Sequence, residues 1–256
     1  MEWLNLTLPT PAENIALDEA LLDWAEEEAS PREILRVWES PQPIVVAGRS
    51  TRVAEEINQA ECDRRQFPIV RRSSGGATIV TGPGCLMYAL VLSYEARPEL
   101  RDISRAHRFV LDTIVESLRP LLSRFGIVAR SGTSDLTLSD KSPASVPLKF
   151  SGNSLRAKRR HFLYHGTLLY DFELALIASC LLSPPRQPEY RRHRQHLEFV
   201  TNLPLARQQL VDALKVAWPT AGNCTAPLER VRDLVEIRFG QRSWNLDFAG
   251  PRRATN

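Results

Sequence analysis

The spacing of apolar positions changes character several times along this chain. Glu2 to Leu8 alternates in the manner of an edge strand. Thr10-Pro11-Ala12-Glu13 then carries the start signals of a helix: a capping threonine, a proline at the first helical position, and Glu13 placed to close a capping box. Leu17, Leu21, Leu22 and Ala25 keep helical spacing behind it. Ile34 to Trp38 and Ile44 to Ala47 read as strands, separated by Pro41 and Pro43 and closed by Gly48-Arg49. A short helix is predicted over Ala54 to Arg64, then strands at Ile69 to Arg71, Thr78 to Val80 and Cys85 to Leu92. The strongest helical face is Phe109, Val110, Ile114, Leu118, Leu121, Leu122 and Phe125, with Ser104 as its predicted cap, Pro120 as a bend and Gly126 as its end. Short strands follow at Ile127 to Ala129, Asp135 to Leu138, Leu148 to Ser151 and Phe162 to Tyr170, with Ser139 to Pro147 as a loop. Helical spacing returns at Leu174 to Leu181, Ala206 to Trp218 and Leu228 to Phe239. Strands in the middle with helices around them predict an α+β fold with a mixed β-sheet and flanking helices, not a regular βαβ alternation.

Composition narrows this picture modestly. The 256 residues suffice for a sizeable core, and 43% apolar with 25% charged side chains is ordinary for a soluble protein. The formal charge of +3 gives no argument for nucleic acid. The charge is uneven, however: Asp18 to Glu28 is acidic, whereas Arg156 to His161 and Arg191 to His196 are basic. Such loops suit solvent, an anionic ligand or an acidic partner. Cys62, Cys85, Cys180 and Cys224 are scattered, with no CxxC and no zinc spacing, so no metal site is read from them. Without a signal-like start or an apolar run long enough to span a bilayer, a cytoplasmic protein with reduced thiols is expected.

Three stretches carry candidate chemistry. In RRSSGG (71–76), Gly75 and Gly76 permit close backbone approach and Arg71 and Arg72 offer planar charged donors, a combination suited to an anionic group or equally to a hairpin turn with surface arginines. It is neither GxxxxGK[ST] nor GxGxxG. In LKFSGNS (148–154), Lys149 stands inside an apolar run, where an ammonium needs an anionic partner or must leave the interior. Ser151-Gly152 follows it, and His165-Gly166-Thr167 lies downstream in the next strand. In SGTSDL (131–136), Asp135 at a strand start either caps a turn or orients a partner.

Together these stretches resemble the lipoate–protein ligase A type within the biotin/lipoate ligase and octanoyltransferase superfamily. The family's Arg-Arg-x-Ser-Gly-Gly-Gly stands as Arg71 to Ala77, its Asn-Asp-Leu as Ser134-Asp135-Leu136, its Lys-x-Ser-Gly-x-Ala as Lys149 to Ser154, and its His-His-Gly-Thr-Leu-Leu as Tyr164 to Leu169. ENIALDEAL (13–21), VVAGRS (45–50), FVTNL (199–203) and RSWNLDF (242–248) are similar to family motifs in the same order. The resemblance implies a mixed-sheet catalytic domain over residues 1–256, ending where a separate C-terminal accessory domain begins in many ligases. It implies activation of lipoate with ATP and Mg²⁺ to lipoyl-AMP, then transfer to a lysine of a lipoyl domain or of the glycine-cleavage H protein, alone or with a separate accessory chain.

In that reading Lys149 is the catalytic cation. Arg71, Arg72, Ser74, Gly75 and Gly76 cover the acyl-phosphate end, Asp135 lies near the adenylate's amine or ribose, and Ser151, Gly152, His165 and Gly166 line the pocket. The basic loops are candidate docking surfaces for an acidic carrier. Two positions depart from the ligase pattern: Ala77 replaces the third glycine, and Thr81-Gly82 replaces His-Asp. Thr81-Gly82-Pro83-Gly84 is instead similar to the His-Gly-Pro-Gly of octanoyltransferases, which need a cysteine nucleophile. The transferase positions for it correspond to Ser183-Pro184 or the neighbourhood of Ile127, with Cys180 the nearest thiol and Cys85 expected in the core. The alternatives are thus an octanoyl or lipoyl transferase, or a non-catalytic lipoate-binding relative.

Overall fold

The computed structural model describes residues 1–28, 31–142, 144–183 and 187–248. Ten strands form two sheets. The larger has seven strands in the order β1 (Glu2–Asn5), β2 (Ile34–Trp38), β6 (Cys85–Ser93), β10 (His161–Leu169), β9 (Leu148–Ala157), β8 (Asp135–Ser139) and β7 (Ile127–Ser131). The smaller has the order β4 (Ile69–Arg71), β3 (Ile44–Ala47) and β5 (Ile79–Thr81). Each sheet contains one parallel pair, β1 with β2 and β3 with β4, and is otherwise antiparallel. The mixed sheet expected from the sequence is present.

Strands β6 and β10 are buried along their whole length, so the large sheet is covered on both faces. Alternation sorts their side chains. Leu86, Tyr88, Leu90 and Leu92 face α4 (Ile103–Leu122) and α7 (Arg207–Ala217). Met87, Ala89 and Val91 face α1 (Pro11–Glu27) and the small sheet. The second face is where the polar motifs around Lys149 and His165 gather. Helix α8 (Leu228–Leu234) closes over α1 on that side.

The helix-start signals at Thr10 are used as expected: Thr10 Oγ1 accepts from Glu13 N at 3.2 Å, and Glu13 Oε2 accepts from Thr10 N at 2.8 Å. Four boundaries differ from the sequence expectation. The cap of α4 is Asp102, whose carboxylate accepts from Arg105 N, so Ser104 is already inside the helix, which runs past Pro120 to Leu122. The helix expected over Ala54 to Arg64 is two, α2 (Val53–Glu56) and α3 (Gln59–Arg65). They break where Ile57 bridges to Leu181 and Asn58 N bonds Cys180 O, at the end of α5 (Ala175–Cys180). Helix α6 (His196–Phe199) is an extra short turn. Finally, β9 runs on to Ala157, so RAKRRH is the hairpin between β9 and β10 rather than a free loop.

That hairpin meets the acidic run of α1. Lys158 pairs with Asp23 at 2.5 Å, Arg156 with Glu19 at 3.3 Å, and the Glu26 carboxylate accepts from the backbone N–H groups of Arg159, Arg160 and His161. Much of the charge asymmetry seen in the sequence is therefore neutralised within the molecule.

The Thr81-Gly82-Pro83-Gly84 stretch carries the chain from β5 in one sheet to β6 in the other. Gly84 has φ +84°, and a β-carbon there would lie 2.1 Å from the Asp171 backbone, whose N–H bonds Gly84 O. This motif is a structural crossing point.

Candidate active site

A cavity of about 370 Å³ opens between α1, the small sheet and the strands β8, β9 and β10. Its wall combines apolar side chains, among them Ile15, Val46, Ile79 and Met87, with polar ones, among them Asp135, Lys149, Asn153 and Ser154. A larger hollow of about 430 Å³ on the outer side of α4, between Glu99, Arg105 and Asp112, gathers none of the motif residues.

Lys149 reaches this cavity through a β-bulge. Strand β8 pairs Leu136 with Ser151 and Thr137 with Lys149, so Phe150 has no opposite residue. Phe150 packs into the α4 side while Lys149 turns to the cavity. Its Nζ lies 2.7 Å from Asp135 Oδ1, the anionic partner that a lysine in an apolar strand requires. Gly152 makes room for this pair: a β-carbon there would sit 2.9 Å from Lys149 Nζ. Asp135 Oδ2 accepts a second bond, from Tyr190 Oη at 2.7 Å.

His165 is tied at both ring nitrogens. Nδ1 lies 3.0 Å from Asp18 Oδ2 and Nε2 lies 2.6 Å from Ser74 Oγ. Asp18 Oδ1 is bound by the fully buried Arg36 at 2.6 Å, and that guanidinium also holds Asn14 O and Asn14 Oδ1. A carboxylate engaged by arginine is an acceptor only, so Nδ1 carries the ring proton and Nε2 accepts from the serine hydroxyl. Burial pushes the Arg36 pKa down, and Asp18 opposes that shift. The order Ser74–His165–Asp18 matches a nucleophile–base–orienter set, but Ser74 is 1% exposed and is not part of the cavity wall. Here the chain braces the glycine turn against the sheet.

The two arginines of RRSSGG are committed to backbone carbonyls. Arg71 donates to Gly48 O, Thr51 O, Trp244 O and Asn245 O, locking the C-terminal segment onto β4. Arg72 borders the cavity, yet donates to Val46 O, Gly75 O, Ala77 O and Ser74 Oγ. Burial lowers its pKa to about 10. Ser154 Oγ bonds Gly75 O and Arg156 bonds Ser73 O, holding the turn from β9. Gly76 has φ +85°, and among the described residues the N–H groups of Gly75 and Gly76 have no protein acceptor.

The structure thus gathers Lys149, Asp135, Gly152, His165, Gly166, Arg72 and Gly76 around one cavity. Arg71, Ser74, Gly75 and Ser151 stand behind the wall. Gly166 is required by packing, because a β-carbon there would meet Asn153 Oδ1 at 1.8 Å. Asn153 itself bonds Tyr88 Oη and Ser134 O across three strands. Sequence reasoning missed Asp18, Arg36, Asn153 and Tyr190. Arg36 had a signal, being a cation in the apolar run ILRVW, the same anomaly that marked Lys149.

None of the four cysteines lines the cavity. Burial pushes the thiols of Cys62, Cys85 and Cys224 up to about 12, with Cys180 adding to the shift at Cys62. Cys180 is fully buried at the C-terminal end of α5. Of the two transferase positions, Ile127 begins the edge strand β7, and Pro184 of Ser183-Pro184 lies outside the described residues. Among the described residues no three His, Cys, Asp or Glu side chains gather as a metal site.

Residues 10–217 match the family described as the lipoyl protein ligase A/B catalytic domain, and the chain belongs to that family. It is similar to the octanoyltransferase LipM of Bacillus anthracis, with 22% identity over 95% of this chain and 96% of that one. Its fold is similar to that of a bi-partite lipoate protein ligase from Thermoplasma acidophilum, described with its E2 lipoyl domain. That match has TM-score 0.80 and 18% identity, covering 99% of this chain and 98% of the other. It is also similar to a lipoate-protein ligase A bound with ATP, with TM-score 0.77 and 19% identity over 97% and 100% of the two chains. The family is one of enzymes that includes both ligases and octanoyltransferases.

Proposed function

We propose that this protein is an ATP-dependent lipoate–protein ligase. In this reading it joins lipoate to AMP and then passes the acyl group to a lysine of a carrier protein. The observation that carries the proposal is a cavity with both apolar and polar walls, Lys149 among its lining residues and no thiol among them. A route through a covalent thioester needs a thiolate beside the acyl carbon. A route through a mixed anhydride needs a cation and hydrogen-bond donors instead, and those are available.

The acyl chain lies along Ile15, Val46, Ile79 and Met87, with its carboxylate towards Lys149. ATP is the second substrate. As the carboxylate oxygen attacks the α-phosphorus and pyrophosphate leaves, negative charge gathers on the phosphoryl oxygens. Lys149 moves from Asp135 towards that charge, and the N–H group of Gly76 in the wall supplies a fixed donor. In the second step the carrier lysine's amine attacks the acyl carbon and AMP departs. Asp135 and Asp18 are each taken up by a cation of the protein, which leaves no ready set of side chains for a protein-held Mg²⁺. Magnesium belongs to this reading as the companion of the nucleotide phosphates, which supply most of its ligands.

The acceptor in this proposal is a lipoyl domain or a glycine-cleavage H protein, with or without a separate accessory chain. The fold likeness to a ligase described with its E2 lipoyl domain supports the first. The decisive assay is an intact-mass measurement on the carrier after incubation with protein, ATP, magnesium and lipoate. A lipoyl increment is expected, and its absence even with an accessory chain would sink the proposal. The second reading, octanoyl transfer from a thioester, is favoured by the near full-length similarity to LipM. It predicts an acyl-cysteine, for which Cys180 is the candidate, and loss of activity in a variant lacking all four cysteines.

A further inference from the structure

The segment from Gln187 to Val200 begins at the cavity, with Gln187 and Pro188 in its wall. Tyr190 sits on a single 3-10 turn of this segment, Glu189–Arg191. Its ring packs over Gly132, where a β-carbon would come within 3.3 Å of Tyr190 Cε1, and lies 5.3 Å from the Phe199 ring. The turn is held from within. Arg194 donates to Tyr190 O, Arg191 O and Pro147 O, while Arg192 and His193 take φ values of 52° and 60°, where non-glycine residues are uncommon. The segment ends by bonding Thr201 N to Lys149 O. The phenol is thus delivered in a fixed position to one oxygen of Asp135, whose other oxygen holds Lys149.

An anionic group entering the cavity must draw the Lys149 ammonium off Asp135. That leaves a carboxylate in a residue only 8% exposed, where a charge without partners is costly. The Tyr190 hydroxyl stays on that carboxylate. Burial and Asp135 both push the phenol's pKa up, so it remains a donor. We propose that Tyr190 is a positioning residue: it keeps Asp135 hydrogen-bonded when Lys149 departs, and so frees Lys149 to meet the carboxylate or phosphate of a ligand. This rests on Lys149 being the group that meets the substrate's anionic end.

The test is calorimetric titration of the full-length protein with lipoate and with octanoate. The series is wild type, Y190F, D135N, the double variant Y190F/D135N, and K149A, each first checked for its thermal midpoint. Phenylalanine keeps the ring packed on Gly132 and Phe199. The expected result is binding weakened about tenfold in Y190F, as for loss of one hydrogen bond to a charged group. Adding Y190F to D135N should change nothing further, and K149A should lose most of the affinity. The inference is overturned if K149A loses affinity while Y190F binds as wild type, or if Y190F costs the same with and without Asp135. If K149A itself binds as wild type, the underlying reading of Lys149 fails instead.

Discussion

At the scale of the residue, one half-buried and one fully buried cation decide the chemistry. Lys149 and Arg36 both stand in apolar strands and both found a carboxylate, yet they differ in freedom. The Lys149 side chain retains 27% exposure and one strong partner, whereas Arg36 is fully enclosed with several. Lys149 therefore has one partner to give up, whereas Arg36 is locked in place by several. Lys149→Ala should abolish acyl transfer while leaving the unfolding curve nearly unchanged; retained turnover would show that another group carries the charge. Asp18→Ala should instead leave Arg36 as an unpaired buried charge, at a cost of about 3–5 kcal/mol in urea unfolding. A midpoint equal to wild type would contradict that account. Lys149 was legible in the sequence because it broke an apolar run and His165 because it sat beside a glycine, whereas Asp135 stood out through the family resemblance alone. Asp18 was hidden in an acidic run that reads as a solvated helix face, and Tyr190 in a loop whose arginines drew the eye. Both are joined to the site by contacts more than fifty residues apart in the chain, which no local pattern records.

At the scale of the element, the glycines separate packing from chemistry. Gly84 and Gly166 stand where a side chain would strike backbone or Asn153, whereas a β-carbon at Gly75 meets nothing within 4 Å. Gly84→Ala should cost several kcal/mol or prevent folding, because it combines a positive φ with a 2.1 Å clash. Gly75→Ala should shift stability by roughly 1 kcal/mol or less. The contrast is read from paired thermal melts, and equal effects would refute it. The strand and helix pattern was readable because periodicity reports burial, which is local. The break between α2 and α3 was not, since it is imposed by Leu181 and Cys180 from α5, and the same holds for the extension of β9, which is set by its pairing with β10. The Thr81–Gly84 stretch, where the sequence departs from the ligase pattern, lies at the crossing between the two sheets.

At the scale of the whole molecule, charge is organised inward. The basic hairpin of β9 and β10 neutralises the acidic face of α1, and Arg191 and Arg194 brace their own loop, leaving Arg192, His193 and Arg159 as the exposed remainder. Three histidines are held less basic than usual. Burial lowers the pKa of His107, His161 and His196; at His161 the Glu26 carboxylate, 3.5 Å from Nδ1, opposes the shift without reversing it. Below the ordinary value of 6.5 these rings bind more protons in the unfolded chain than in the folded one, so their contribution to stability falls as pH drops through and below that value. Thermal midpoints measured on either side of it should decline towards acid, and a flat profile would contradict the burial of these rings. No helix among the described residues is long and apolar enough to cross a membrane.

The most direct measurement is made with a variant lacking all four cysteines, mixed with a lipoyl-domain acceptor and followed by intact mass. The account predicts that ATP and lipoate add a lipoyl group to the acceptor lysine at close to the wild-type rate. Modification that requires an octanoyl thioester, ignores ATP and vanishes with the cysteines would contradict it.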